Sequence, residues 1–130
     1  MIVVDASVII ELLLRTAAAN AIVERLIRAN ESWHAPHLID VEVAQVIRRY
    51  VIRDELDSAS GEVLVELLRE LPIRRYSHQP LLPRMWQLRE NMTAYDAAYV
   101  ALAEGLSATL VTRDRALAQV PNVRATVEVL

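Results

Sequence analysis

Met1-Ile2-Val3-Val4-Asp5-Ala6-Ser7 opens the chain with four apolar residues, an acid and two small residues. The apolar run predicts a short buried strand, which places Asp5 and Ser7 at its C-terminal end. Residues 8–14 continue as a helix in which Glu11 is the one acid. A strand leading straight into a helix is the repeating unit of an α/β domain. The same alternation continues outward from this stretch. Residues 17–29 carry Ala18, Ile22, Leu26 and Ala29 near helical spacing, and residues 33–35 read as a weak second strand stopped by Pro36. Residues 37–53 form a long helix with a wide apolar face that includes Leu38, Val43 and Ile47. Residues 57–71 form another, entered through Asp57-Ser58. Pro72 resets the chain before a strand over 73–76. Helices over 80–90 and 94–105, a clear β-run over 108–112, a short helix over 113–119 and a last strand over 123–127 complete the pattern. This predicts a single domain spanning residues 1–130, an α/β sandwich with a mainly parallel central sheet.

Composition narrows the chemistry. At 130 residues the chain can bury a core without staples. It has no cysteine, which excludes thiolate metal sites, iron–sulfur clusters and thiol nucleophiles. All 14 basic residues are arginine, which excludes Schiff-base lysines and a P-loop lysine. With only Gly61 and Gly105, no glycine-rich phosphate loop can form. No G-x-S-x-G turn presents a serine, and His34, His37 and His78 lack paired ligand spacing, so they read as surface or loop residues. The net charge of -3 leaves no basic footprint for nucleic acid. The apolar fraction is 54% and the mean hydropathy +0.23. No apolar run approaches the roughly 20 residues that span a membrane, and residues 1–5 lack the basic region of a signal peptide. The expectation is a cytoplasmic protein whose surplus apolar surface is covered by a second copy or a partner.

Four acids carry the functional expectation. Ligands of open α/β sheets bind beyond the carboxyl ends of the strands. Asp5 ends the first strand, and Asp114 follows the strand over 108–112. Glu42 falls in the first turns of the long helix, and Asp96 in the first turn of the helix opened by Thr93. Each has a plain structural alternative. Asp5 or Ser7 could cap the first helix, and Thr93-Ala94-Tyr95-Asp96 resembles a capping box. Asp114 could favour a helix start, and Glu42 could be solvated, as Asp40 and Glu31 are expected to be. Taken together they argue otherwise. Glu42 sits among Val41, Val43 and Ala44, and Asp96 among Ala94, Ala97 and Ala98. Acids in such company are partly buried and need a counter-charge. A hard, oxygen-seeking cation, Mg²⁺ or Mn²⁺, suits several carboxylates without cysteine. Clustered carboxylates also repel, so at least one is expected to have a raised pKa.

Asp5-Ala6-Ser7-Val8, Pro36 followed by Asp40-Val41-Glu42-Val43, Thr93-Ala94-Tyr95-Asp96-Ala97-Ala98-Tyr99-Val100-Ala101-Leu102-Ala103, and Leu110-Val111-Thr112-Arg113-Asp114 occur in this order. Together they resemble the successive motifs of PIN-domain ribonucleases, and among these the VapC-type toxins of bacterial toxin–antitoxin modules. The resemblance covers essentially the full length. It implies a PIN-like three-layer α/β/α sandwich that cuts single-stranded or looped RNA with Mg²⁺ or Mn²⁺. It maps the family's acidic metal-binding residues onto Asp5, Glu42, Asp96 and Asp114, and its small hydroxyl residues onto Ser7 and Thr112. Where some relatives carry a further acid, Arg115 and Ala116 follow Asp114. The resemblance also implies a VapB-type antitoxin partner, and a homodimer is expected from the apolar surface. Arg113 and Arg115, flanking Asp114, are the expected phosphate contacts. For Arg48, Arg49 and Arg53 a solvated helix end is the plainer reading. A catalytically silent PIN-fold module that binds RNA or protein is the alternative, opposed by retention of all four acids. A receiver-type signalling domain also gathers acids around Mg²⁺, but it needs a lysine, which this chain lacks.

Overall fold

The structure, a computed structural model, describes residues 1–28 and 30–130. Ala29, read above as the end of a helical stretch, lies outside the described residues. Among those described, β1 (Ile2–Val4), β2 (Trp33–Pro36), β3 (Ile73–Tyr76), β4 (Thr109–Thr112) and β5 (Val127–Val129) form one sheet in the order β3-β2-β1-β4-β5. Every pairing is parallel, with Val3 opposite His34 on one side and Leu110 on the other. β1 is central, and Ile2, Val3 and Val4 are each fully buried. An unbroken apolar run is what a strand covered on both faces requires. Each such side chain contributes roughly 1.5–3 kcal/mol through burial.

The connections are α1 (Ala6–Leu14), α2 (Ala19–Arg28), α3 (Leu38–Ile52), α4 (Ser58–Glu70), α5 (Leu82–Gln87) and α6 (Ala94–Leu106). α1 packs on β4 and α3 on β2, and α2 and α4 join them. α6 packs on β1, β2 and β4, with α5 beside it. The resulting layers are the expected α/β sandwich. Seven successive residues of α6, 97–103, are buried. Four of them are alanines, and their small side chains let a helix pack closely against its neighbours. Among the described residues no single helix is long and apolar enough to cross a membrane.

Several boundaries differ from those expected. α1 begins at Ala6, because Asp5 already holds the extended N-cap conformation. Pro36 ends β2 as its last residue and pairs with Tyr76. The helix expected over 80–90 is a 3₁₀ turn followed by α5, which stops at Gln87. The helix expected over 113–119 reduces to a 3₁₀ turn, Leu117–Gln119. Asp114 starts a side-chain turn there, its Oδ1 accepting the Ala116 N–H at 2.9 Å. The last strand is Val127–Val129, not 123–127, because the Arg124 N–H bonds Glu104 Oε1 at 2.8 Å and ties that segment to α6. His34 is buried, contrary to the surface reading. Its ring nitrogens meet Ser32 Oγ at 2.8 Å and the Tyr76 hydroxyl at 2.7 Å, and burial holds its pKa below the ordinary histidine value.

Candidate active site

β1 and β4 are neighbours, and the strand order reverses between them: β2 and β3 lie to one side of β1, β4 and β5 to the other. In open α/β sheets the crevice outside the strand ends at such a switch point receives ligands. Asp5 directly follows β1, and Asp114 comes two residues after β4. The Asp5 side chain makes no capping bond to α1. Its Oδ2 accepts hydrogen bonds from Ser7 Oγ at 2.7 Å and from Thr112 Oγ1 at 2.7 Å. Thr112 is fully buried, and its hydroxyl also accepts the Asp114 N–H at 3.0 Å. Ser7 Oγ accepts the Arg113 N–H at 3.0 Å. Two hydroxyls thus fasten the two strand ends to one carboxylate oxygen. Among the described residues Asp5 Oδ1 has no hydrogen-bond partner.

Glu42 reaches the same place from α3, and Asp96 from the first turn of α6. Thr93 caps α6, its Oγ1 accepting the Asp96 N–H at 3.2 Å, so the backbone half of the expected box is present. The Tyr99 hydroxyl donates to Glu42 Oε1 at 2.6 Å. Tyr99 was not among the expected site residues. A tyrosine three residues after Asp96, on a helix buried all round, needs a partner for its hydroxyl, and that was the available signal.

Asp5, Glu42, Asp96 and Asp114 all line one cleft of about 520 Å³, together with Ser7, Gln45, Arg49 and Tyr95. Burial raises the pKa of Glu42 above the ordinary glutamate value. The charges of Asp5 and Asp96 add to that rise, and the Tyr99 hydrogen bond opposes it. Asp96 is raised likewise, first by burial and then by Asp5 and Asp114. Among the described residues none of the four is in an ion pair. Asp40 and Glu31, expected to be solvated, are paired. Asp40 takes the Arg75 guanidinium at 2.7 and 2.9 Å, and Glu31 meets the N-terminal amine at 3.3 Å and Arg25 at 3.2 Å. Among the described residues no three histidine, aspartate or glutamate side chains are gathered tightly enough to hold an ion as they stand. Arg113 and Arg115 are not among the residues lining the cleft, and the Arg113 guanidinium donates to the Leu130 carbonyl.

The sequence matches the PIN domain family over residues 2–123. It is 44% identical to Ribonuclease VapC12 of Mycobacterium tuberculosis over 130 residues, which is 100% of this chain and 99% of the relative. Among solved structures, PAE2754 from Pyrobaculum aerophilum superposes with a TM-score of 0.72 at 24% identity, covering 96% of this chain and 87% of that one. VapBC2 from Rickettsia felis, solved bound to a DNA fragment from its promoter, gives 0.71 at 12% identity and covers 98% of each chain. These two likenesses concern the fold alone. With the family match over residues 2–123 and 44% identity across the whole chain to a VapC ribonuclease, the chain belongs to the PIN domain family, among its VapC-type members.

Proposed function

We propose that this chain is a metal-dependent endoribonuclease, the toxin of a toxin–antitoxin pair, hydrolysing phosphodiester bonds in RNA with Mg²⁺ or Mn²⁺. The observation that carries the reading is that four carboxylates from separate elements line one cleft and, among the described residues, have no ionic partner. The donor set fits a hard divalent ion: every candidate ligand is oxygen, and two of the four carboxyls are strained toward their neutral form by burial and by one another. Free Asp5 Oδ1 and the free oxygens of Glu42 and Asp114 are available to it.

In this reading Asp5, Asp96 and Asp114 hold the ion, and Glu42 holds it or orients the attacking water. A bound divalent cation supplies relief of phosphate charge and a lowered pKa for water. The chain's own residues do the positioning. Ser7 and Thr112 fix the rotamer of Asp5 through one oxygen and leave the other for ligation. Tyr99 fixes Glu42 in the same way. Arg113 contributes its backbone N–H to this scaffold, and Arg115, the next residue after Asp114, is the proposed phosphate contact from outside the cleft lining.

The partner reading rests on exposed apolar side chains. Val41 on α3 and Val65 on α4 are exposed and line a groove of about 600 Å³ next to the cleft. Trp86 on α5 is also exposed. An antitoxin segment and a second copy of the chain are the proposed covers. The test is incubation of the purified chain with a mixed single-stranded RNA pool, with Mn²⁺, Mg²⁺ or chelator, followed by fragment end-sequencing. Cleavage that requires the cation and disappears in Asp5→Asn and Asp114→Asn is expected. No cleavage by the wild type, or cleavage indifferent to chelator, refutes the reading.

A further inference from the structure

We infer that Arg49 and Tyr95 form a substrate subsite on the wall of the acid cleft, Arg49 clamping a phosphate beside the scissile one and Tyr95 stacking the adjoining base. This rests on the ribonuclease reading above and adds to it the residues that grip the strand.

Arg49 stands seven residues after Glu42 on α3, about two turns and roughly 10 Å along the axis. Residues 42, 45, 46 and 49 all line the cleft, so they make one stripe down the helix. Side chains on a helix lean toward its N-terminus, which for Arg49 is the direction in which Glu42 lies. Arg49 is exposed and, among the described residues, has no ion pair. Arg25, Arg75 and Arg84 are by contrast each committed to a carboxylate. A cation on the lining of an acid-bearing cleft that no carboxylate holds in an ion pair, among the described residues, is open to a ligand. It answers the problem such a cleft has with a polyanion: an ion among the acids neutralises the reacting phosphate, and its neighbours remain repelled. A guanidinium suits a phosphate because its fork matches two oxygens at once.

Tyr95 immediately precedes Asp96 in the first turn of α6, and 62% of it is exposed. The other three tyrosines, Tyr50, Tyr76 and Tyr99, are half-buried or buried. An aromatic ring kept in water on the lining of an acid-bearing cleft is a platform for another flat ring. Only an unpaired base can leave its own stack to use it, so the pair selects single-stranded RNA over duplex.

The experiment uses the full chain silenced by Asp114→Asn, with anisotropy of a fluorescent single-stranded RNA across a salt series. Arg49→Gln should lower the salt slope by about 0.7, the share of one phosphate contact on a single strand, and Arg49→Lys should keep it. Tyr95→Ala should weaken binding roughly tenfold with the slope unchanged, and Tyr95→Phe should restore it. In the active chain both losses should raise KM and leave kcat within about twofold. An unchanged slope for Arg49→Gln, or a fall in kcat alone, overturns the subsite. A wild-type chain that neither binds nor cuts RNA overturns both the subsite and the ribonuclease reading. A wild type that cuts, with both variants matching its KM and slope, overturns the subsite only.

Discussion

Replacing Thr112 by valine tests how the cleft is held together. The two side chains have nearly the same shape, so the change removes a hydroxyl and opens no cavity. In the folded chain that hydroxyl donates to Asp5 Oδ2 at 2.7 Å and accepts the Asp114 N–H at 3.0 Å, at a residue with no exposure to solvent. A hydrogen bond to a charged group is worth about 1.5–3 kcal/mol, and an amide left without its acceptor costs on the order of 1 kcal/mol more. The expected loss is about 3 kcal/mol, or roughly 10 °C in Tm for a domain of this size. Thr112→Ser keeps the hydroxyl and deletes one methyl, so it should cost only about 1 kcal/mol. Calorimetric melts of the three proteins without added metal measure this difference. A Mn²⁺ titration of the same melts reads the functional consequence, because loosening the group behind a ligand typically weakens metal affinity roughly 10–100-fold. Equal Tm and equal Mn²⁺ response in the valine and serine variants would falsify the view that these hydroxyls hold Asp5 in place.

Asp96→Asn should raise the Tm of the metal-free chain and abolish its stabilisation by Mn²⁺, since burial and the charges of Asp5 and Asp114 disfavour the ionised carboxyl; a metal-free melt no higher than wild type counts against that repulsion. Because that carboxyl is raised, the metal-free chain should lose stability from this source as pH climbs above the ordinary aspartate value, which a pH series of melts with and without the substitution measures. Glu104 has the opposite sign. Its contacts with Arg84 and the Arg124 N–H outweigh burial and hold its pKa below the ordinary glutamate value, so Glu104→Gln should cost about 2 kcal/mol near neutral pH and progressively less in acid. Gly61→Ala should destabilise by about 1–2 kcal/mol in urea unfolding, because its new Cβ would sit 2.8 Å from Val51 Cγ2. Gly105→Ala meets nothing within 4 Å and should stabilise α6 by roughly 0.5–1 kcal/mol.

The strands legible in the sequence were those whose residues had to be buried. Val3 and Leu110 sit in apolar runs, and those runs form the centre of the sheet. β5 was misplaced because its residues are only half-buried, so hydropathy gave little reason to prefer 127–129 over 123–127. What fixes it is a contact between distant residues, Arg124 with Glu104. The helix read over 113–119 failed for a similar reason: Asp114 spends its side chain on a turn and its N–H on Thr112. The acids themselves were findable because an ionisable group in an apolar stretch needs an explanation. Their supports were harder to find. Tyr99 looks like core, and its hydroxyl contact depends on how α6 lies against α3. Arg49 looks like one of three arginines at a helix end, and only the stripe it shares with Glu42 separates it from Arg48 and Arg53.

The bond between Thr112 and Asp5 joins residues 107 positions apart. At typical synthesis rates of about 5–20 residues per second, roughly 5–20 s separate the making of one from the making of the other. During that interval a ribosome-bound chain can pair β1 with β2 but has nothing to place on its other edge, because β4 does not yet exist. The carboxylate at the tip of β1 then lacks its Thr112 anchor, and Asp114 is not yet translated. On the proposed reading a nascent fragment is therefore inert, and it carries an open apolar edge that invites mispairing. The same wiring makes the cleft sensitive to translation that stops short: losing the last fifth of the chain removes β4, and with it one of the four acids and the hydroxyl that holds another.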